Sequence, residues 1–183
     1  MSNNVIIVGG NGFVGREITM QWANRFPEAD IYIASRGDRK EIQGAHLHHV
    51  QVDVNNAQSF ESALYGDEVD YIITLTYGSQ DAVKTVKDFA EKHNLKAIGN
   101  VGVQDFGIPE MADFVSMKQD ELKTLQEGPV RVANYDATVI WSKNRNDDIG
   151  KGIKAGDFDE MPPVSVEIVA EQVIDRTTKA WRS

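Results

Sequence analysis

The chain has 183 residues, 41% of them apolar and 26% charged, with a formal net charge of -9 and no cysteine, which suits one domain around one substantial core. The negative balance repels a phosphate backbone and argues against a nucleic-acid partner. The lack of cysteine excludes disulfides, thiolate metal sites and a cysteine nucleophile, so any catalysis falls to oxygen and nitrogen acids and bases or to a cofactor.

The predicted elements begin with a strand at Val5 to Val8, a helix from about Gly12 to Arg25 and a strand at Ile31 to Ala34, the β-α-β opening of a parallel sheet. Leu47 to Val52 reads as the third strand and Tyr71 to Leu75 as the fourth, with a short helix near Ala57 to Leu64 between them. The stretch Gln80 to His93 places Ala82, Val83, Val86, Phe89 and Ala90 at helical spacing. Lys96 to Val101 is the fifth strand. A helix from Ala112 to Gln126 stops at Gly128-Pro129, and Val130 to Ala133 is the sixth strand. Ser142 to Pro163 is rich in Gly, Asn and Asp and reads as a long loop with little regular structure, either a lid over a substrate or a plain excursion. The last helix opens at Ser165 as N-cap and is expected to bury Ile168, Val169, Val173 and Ile174. No repeat or linker divides residues 1–183, so one domain is expected. No apolar run approaches the roughly 20 residues a spanning helix needs. The opening Met-Ser-Asn-Asn lacks the basic start of a secretory signal, and the expectation is a cytoplasmic protein without a membrane partner.

The segment Val5 to Gly15 is a buried strand running into glycines spaced G-x-x-G-x-x-G and then a helix. Gly9 permits the turn off the strand, Gly12 lets backbone approach a pyrophosphate, and Gly15 lets the helix lie close on the sheet. Free N–H groups and the helix dipole face the phosphates, which makes Gly9, Asn11, Gly12, Phe13, Val14 and Gly15 the candidate cofactor loop. Such a pattern also occurs as a turn without ligand, but here strand, helix and next strand arrive at βαβ spacing. The fold expected is α/β, a Rossmann-type doubly wound parallel sheet in three layers, α/β/α.

In NAD-binding domains a carboxylate at the end of the second strand accepts from the adenosine 2′-hydroxyl. Here that strand ends in Ser35-Arg36, with Arg39 and Lys40 close behind. A guanidinium pairs with a 2′-phosphate where a carboxylate would repel it, so Ser35 and Arg36 point to NADP(H) over NAD(H). The alternative is a solvated loop whose basic residues balance Asp38 and Glu41.

The motif VGGNGFVG, the Ala34-Ser35-Arg36 strand end, Asp53-Val54 after the third strand, Lys118 with Glu121, and Val164 to Glu167 before the last helix together resemble the short-chain dehydrogenase/reductase superfamily, in its small, atypical NmrA-like NAD(P)-binding branch. The resemblance implies a cofactor across the carboxyl ends of the strands, with Asp53 and Val54 beside the adenine and Leu75, Thr76 and Tyr77 along the ribose and nicotinamide side. Asp53 read on local chemistry alone is equally a turn residue.

Carbonyl-reducing members of that superfamily carry a Tyr-x-x-x-Lys pair, and the matching segment here is Phe114-Val115-Ser116-Met117-Lys118. Phenylalanine has no proton to give. Lys118 is kept as a ribose-binding candidate, with Tyr77 after the fourth strand and Tyr135 after the sixth as substitute proton donors. His46, His48 and His49 lack further ligands at a useful spacing, and no metal is expected. Two functions follow. One is an NADP(H)-dependent oxidoreductase acting on an unidentified small acceptor that needs no strong acid, such as a flavin or quinone. The other is a non-catalytic dinucleotide sensor that passes its state to a protein partner. A homo-oligomer is compatible with both.

Overall fold

The computed structural model describes residues 2–37 and 39–179, so Met1, Asp38 and the last four positions lie outside the described residues. Six parallel strands form the central sheet: β1 (Val5–Val8), β2 (Ile31–Ser35), β3 (Leu47–Gln51), β4 (Tyr71–Thr74), β5 (Ala97–Val103) and β6 (Val132–Ala137). Their order is β3-β2-β1-β4-β5-β6, the order of a doubly wound Rossmann-type sheet.

β1 is apolar at every position because both of its faces are covered. Val5 and Ile7 pack into the layer built with α1 (Phe13–Arg25) and α6 (Val166–Lys179), among Ile18, Trp22, Val169 and Val173. Ile6 and Val8 face the opposite layer, built with α2 (Ala57–Ala63), α3 (Gln80–Lys92) and α4 (Ala112–Gln126), among Phe60, Val86, Phe89 and Leu125. Trp22 anchors the first layer, with its ring edge-on to Tyr71 at 5.6 Å and its indole N–H donating to the Asn3 carbonyl at 2.9 Å. Among the described residues no helix is long and apolar enough to cross a membrane.

Several expectations are corrected. β5 runs to Val103 and β6 to Ala137, so Tyr135 lies within its strand, opposite Val101, and does not follow it. Ile168 is 48% exposed. The buried stripe of α6 runs through Val166, Val169, Ala170, Val173, Ile174 and Thr177, spacings of three and four that pass Ile168 by. Ser165 does cap the helix, accepting from the Ile168 N–H at 3.3 Å. Finally, the stretch from 142 to 163 holds a helix, α5 (Asp148–Ala155). Asp147 caps it by accepting from the Gly150 N–H at 2.9 Å, and Gly156 ends it at φ 80°. A short parallel pair, β7 (Ile140–Trp141) with β8 (Val164–Ser165), closes the base of this excursion.

Candidate functional site

The chain leaves β1 toward α1 on one face of the sheet and β4 toward α3 on the other, so the carboxyl ends of these neighbours open a crevice. Gly9 turns the chain there at φ +85°, and a Cβ on it would stand 3.3 Å from the Leu75 Cβ. The turn is tied down by the Gly9 N–H donating to Ala34 at 2.8 Å and the Gly12 N–H donating to Gly9 at 3.0 Å. Gly12 is the N-cap of α1 and brings no side-chain cap. Past Gly12, the next backbone amide with a partner is that of Arg16, on the Gly12 carbonyl at 2.9 Å. The amides of Phe13, Val14 and Gly15 therefore remain for an anion. Gly15 answers a different need, since a Cβ there would lie 2.2 Å from the Gly9 carbonyl oxygen and 2.5 Å from the Gly10 Cα.

Two cavities flank this loop. The first, of about 410 Å³, is lined by Gly9, Asn11, Gly12, Ser35, Arg36, Arg39, Asp53, Val54, Asn55, Thr76 and Tyr77 among others. The second, of about 460 Å³, takes Gly9, Gly12, Phe13, Val14, Gly15, Leu75, Tyr77, Phe114 and Lys118 and continues under α5. They share Gly9, Gly12 and Tyr77, which makes them one groove across the strand ends.

Asn11 organises the first cavity. Its amide donates to the Arg39 carbonyl at 3.0 Å, and Arg16 donates from Nε to the Asn11 carbonyl at 2.9 Å and from Nη2 to that of Lys40. These bonds hold the loop after β2 against the start of α1, with the exposed Arg36 and Arg39 side chains beside the cavity. Asn11 is only 2% exposed, yet its Oδ1 finds no partner. A buried acceptor without a donor is costly unless a ligand supplies one, and a ribose hydroxyl would. Ser35 Oγ accepts from the Gly37 N–H at 3.3 Å. Asp53 accepts from both the backbone and side-chain nitrogens of Asn55, at 2.9 and 3.0 Å, while Ser79 donates to Asn55 Oδ1 and caps α3. Asp53 is thus a turn residue that also lines the cavity. The uncapped helix start, the Cβ-free Gly12 and the orphaned Asn11 oxygen fit a dinucleotide.

In the second cavity Phe114 and Lys118 share one face of α4, four residues apart. Tyr77 stands over them, its ring edge-on to Phe114 with centroids 5.6 Å apart and its centroid 5.5 Å from Lys118 Nζ. Burial lowers the Lys118 pKa below the usual lysine range, against the pull of Glu121. Glu121 lies beneath the Tyr77-Gly78 turn at 5% exposure. Its Oε1 accepts from the Gly78 N–H at 3.3 Å and its Oε2 is buried without a partner. Burial raises its pKa, opposed by the Gly78 bond and Lys118.

The structure brings Tyr77 and Lys118 together and leaves Tyr135 apart. Tyr135 packs against the α1/α6 layer beneath the Arg176 guanidinium, 5.2 Å from its ring, and is absent from the lining of both cavities. His46 and His48 both converge on Asp30 Oδ1, at 3.3 and 2.8 Å, while His49 bonds to the Ile42 carbonyl.

Sequence reasoning missed most of the second cavity's far wall, namely Phe106, Met111, Ile149, Phe158 and Met161. The available signal was the pair of caps Asp147 and Gly156 around Ile149 and Ile153, which spells a short amphipathic helix. Arg145 secures that helix. It grips Asp147 through Nε and Nη2 at 2.9 and 3.1 Å, donates to the Ile140 carbonyl, and lies 5.0 Å over the Phe13 ring.

The glycine loop, its strand and the following βαβ units also match a family model, that of the NAD dependent epimerase/dehydratase family, over residues 5–101. The chain belongs to this family. Among solved structures this family member is similar to the Bordetella bronchiseptica enzyme WbmH in complex with NAD+, at 14% identity and TM-score 0.75, covering 96% of this chain and 72% of that one. It is similar to UDP-N-acetylglucosamine 4-epimerase from Bacillus cereus at 13% identity and TM-score 0.73, covering 98% and 76%. A short-chain dehydrogenase/reductase from Veillonella parvula in complex with NADP follows at 12% identity and TM-score 0.72, covering 96% and 87%. At these identities the likeness is one of fold. No curated protein matches this family member in sequence.

Proposed function

We propose that this epimerase/dehydratase family member is a single-domain cytoplasmic oxidoreductase of the atypical NmrA-like kind, which binds NADP(H) and reduces a small acceptor without the tyrosine of the usual Tyr-x-x-x-Lys pair. The observation that carries this reading is the joining of two unlike cavities at Gly9, Gly12 and Tyr77, one bordered by Arg36 and Arg39 and the other holding Lys118. In this reading the amides of Phe13, Val14 and Gly15 hold the pyrophosphate at the start of α1. Ser35 and Arg36 take the 2′-phosphate, to which a guanidinium is suited and a carboxylate is not. Asp53 and Val54 border the adenine, and Leu75 and Thr76 the ribose and nicotinamide side. When bound, the reduced dinucleotide supplies a hydride.

Lys118 holds a ribose hydroxyl from its half-buried place on α4. The Tyr77 phenol stands over the same lysine and in this reading is the proton donor. Titration of the wild type and Arg36→Ala with NADPH and NADH tests the cofactor choice, and an unchanged NADPH preference in the variant would overturn it. A screen of NADPH oxidation against quinones, flavins and small aldehydes tests the activity.

Phe114 favours a second reading. It faces the cavity one turn before Lys118 and offers no acid, as suits a non-catalytic sensor that reports the dinucleotide to a protein partner. Tight NADPH binding with no turnover on any acceptor would select the sensor. Turnover that disappears in a Gly12 variant would select the enzyme.

A further inference from the structure

The two cavities differ in chemistry, and the second is the more informative. Its wall away from the glycine loop is made of the rings of Phe106, Phe114 and Phe158, the thioethers of Met111 and Met161, and aliphatic side chains from β5 and α5. Aromatic rings favour flat partners in offset or edge-on contact, and methionines adapt their shape to such partners. Its two cations are not equivalent. Arg145 is spent on the protein, with Nε and Nη2 on Asp147 and Nη1 on Ile140, which leaves Lys118, whose ammonium has three donors, to address an incoming oxygen as well as the ribose hydroxyl.

We propose that the second cavity binds a flat, uncharged ring system carrying a carbonyl oxygen, of the quinone or isoalloxazine type, with the rings against Phe106, Phe114 and Phe158 and the oxygen toward Lys118. The inference rests on the cofactor reading above, because the cavity continues the groove through Gly9, Gly12 and Tyr77. It sets this chain apart from its structural neighbours, one of which is a UDP-N-acetylglucosamine 4-epimerase. A sugar nucleotide brings a diphosphate and many hydroxyls. Buried polar groups must be paired, and outside the glycine loop the lining offers them little beyond Tyr77, Gln104, Thr138 and Lys118. Lys118 stands 5.5 Å from the centre of the Tyr77 ring, at the seam between the cavities, so an oxygen that reached it would lie beside the dinucleotide's reactive end.

Calorimetric titration of the full chain tests this without turnover. The protein is first saturated with NADP+, then titrated separately with menadione, riboflavin and UDP-glucose. Menadione is a clean probe because the chain has no cysteine for it to alkylate. The expected result is saturable binding of menadione, of riboflavin or of both, the pair distinguishing a two-ring from a three-ring ligand, and none of UDP-glucose. Phe106→Ser and Phe158→Ser should each weaken ring binding about tenfold, the loss of one aromatic contact, with NADP+ affinity retained. Phe106 sits in a loop, so its variant remains informative if Phe158→Ser does not fold. NADP+ binding with no ring binding, ring binding indifferent to both variants, or preferred binding of UDP-glucose overturns the inference and leaves the cofactor reading standing. Failure of NADP+ and NADPH to bind overturns the cofactor reading and this inference with it.

Discussion

Tyr77 stands perpendicular to Phe114, their planes at 89° and their centroids 5.6 Å apart, so a phenol from the loop after β4 occupies the space above a helix position that has none. If Tyr77 gives the proton, Tyr77→Phe lowers NADPH-dependent turnover by about 10²-fold with unchanged cofactor affinity, a typical share for one general acid. Phe114→Tyr puts a phenol one turn from Lys118 and raises reduction of small aldehydes. Steady-state rates with each variant on the same acceptor check both expectations.

Gly12 and Gly15 separate binding from folding. A Cβ at Gly12 meets only the Gly9 oxygen, at 3.3 Å, whereas one at Gly15 meets three backbone atoms at 2.2 to 2.7 Å. Gly12→Ala should therefore melt near the wild-type temperature and lose dinucleotide affinity. Gly15→Ala should lose about 2 kcal/mol or more of stability, an overpacking cost with no side chain able to yield. Thermal melts and NADPH fluorescence titrations on both variants read the two effects apart.

The unpartnered Oδ1 of Asn11 predicts a ligand hydroxyl. Asn11→Ala is expected to weaken NADPH about tenfold, the worth of one buried hydrogen bond. The same substitution should erase any discrimination between NADP+ and its analogue lacking the adenosine 3′-hydroxyl. A double-mutant cycle on the two ligands measures the coupling.

His93 supplies a pH-dependent clamp far from the groove. Burial disfavours its charged form, but hydrogen bonds to Asp67 and Glu61 outweigh this and raise its pKa above 6.5. A raised histidine pKa gives stability that is complete below the ordinary value and is lost as pH climbs through the folded-state value. His93→Gln should thus be most destabilised, relative to wild type, at about pH 6 and progressively less so at alkaline pH. Chemical denaturation across that range checks the sign.

Glu121 shifts stability with pH in the same direction as His93, but its removal has the opposite sign. Its carboxyl pKa is raised by burial, so the folded state holds a proton that the unfolded chain releases near 4.5, and stability falls as pH rises from there through the raised value. Glu121→Gln keeps an oxygen for the Gly78 N–H and removes the titration. A gain of about 1 kcal/mol at neutral pH, shrinking under acid, is the expected outcome by denaturant titration.

The sheet and the glycine loop were readable because their signals are local: a wholly apolar β1, glycines at fixed offsets and a helix period that starts on time. The second cavity was not, because its wall comes from separate places, with Phe106 in a loop, Met111 before α4 and Phe158 and Met161 after α5. Two glycines within α5 made that helix read as loop, although its caps were present. Tyr135 was misplaced because Asn134-Tyr135-Asp136 is polar enough to read as the end of a strand, while its pairing with β5 carries on to Ala137. Ile168 is apolar but one position off the stripe set by Val166, Val169 and Val173. Apolarity without phase does not predict burial.

The match to the family ends at Val101, where the wall of the second cavity begins its run through β5, the Phe106 loop, α4 and α5. The strand ends proposed to hold a dinucleotide lie almost wholly before that point, and the residues that would choose its partner, Leu75 and Tyr77 apart, lie after it. Transplanting the segment from 102 to 161 between members of this fold should move acceptor preference and leave cofactor preference where it was.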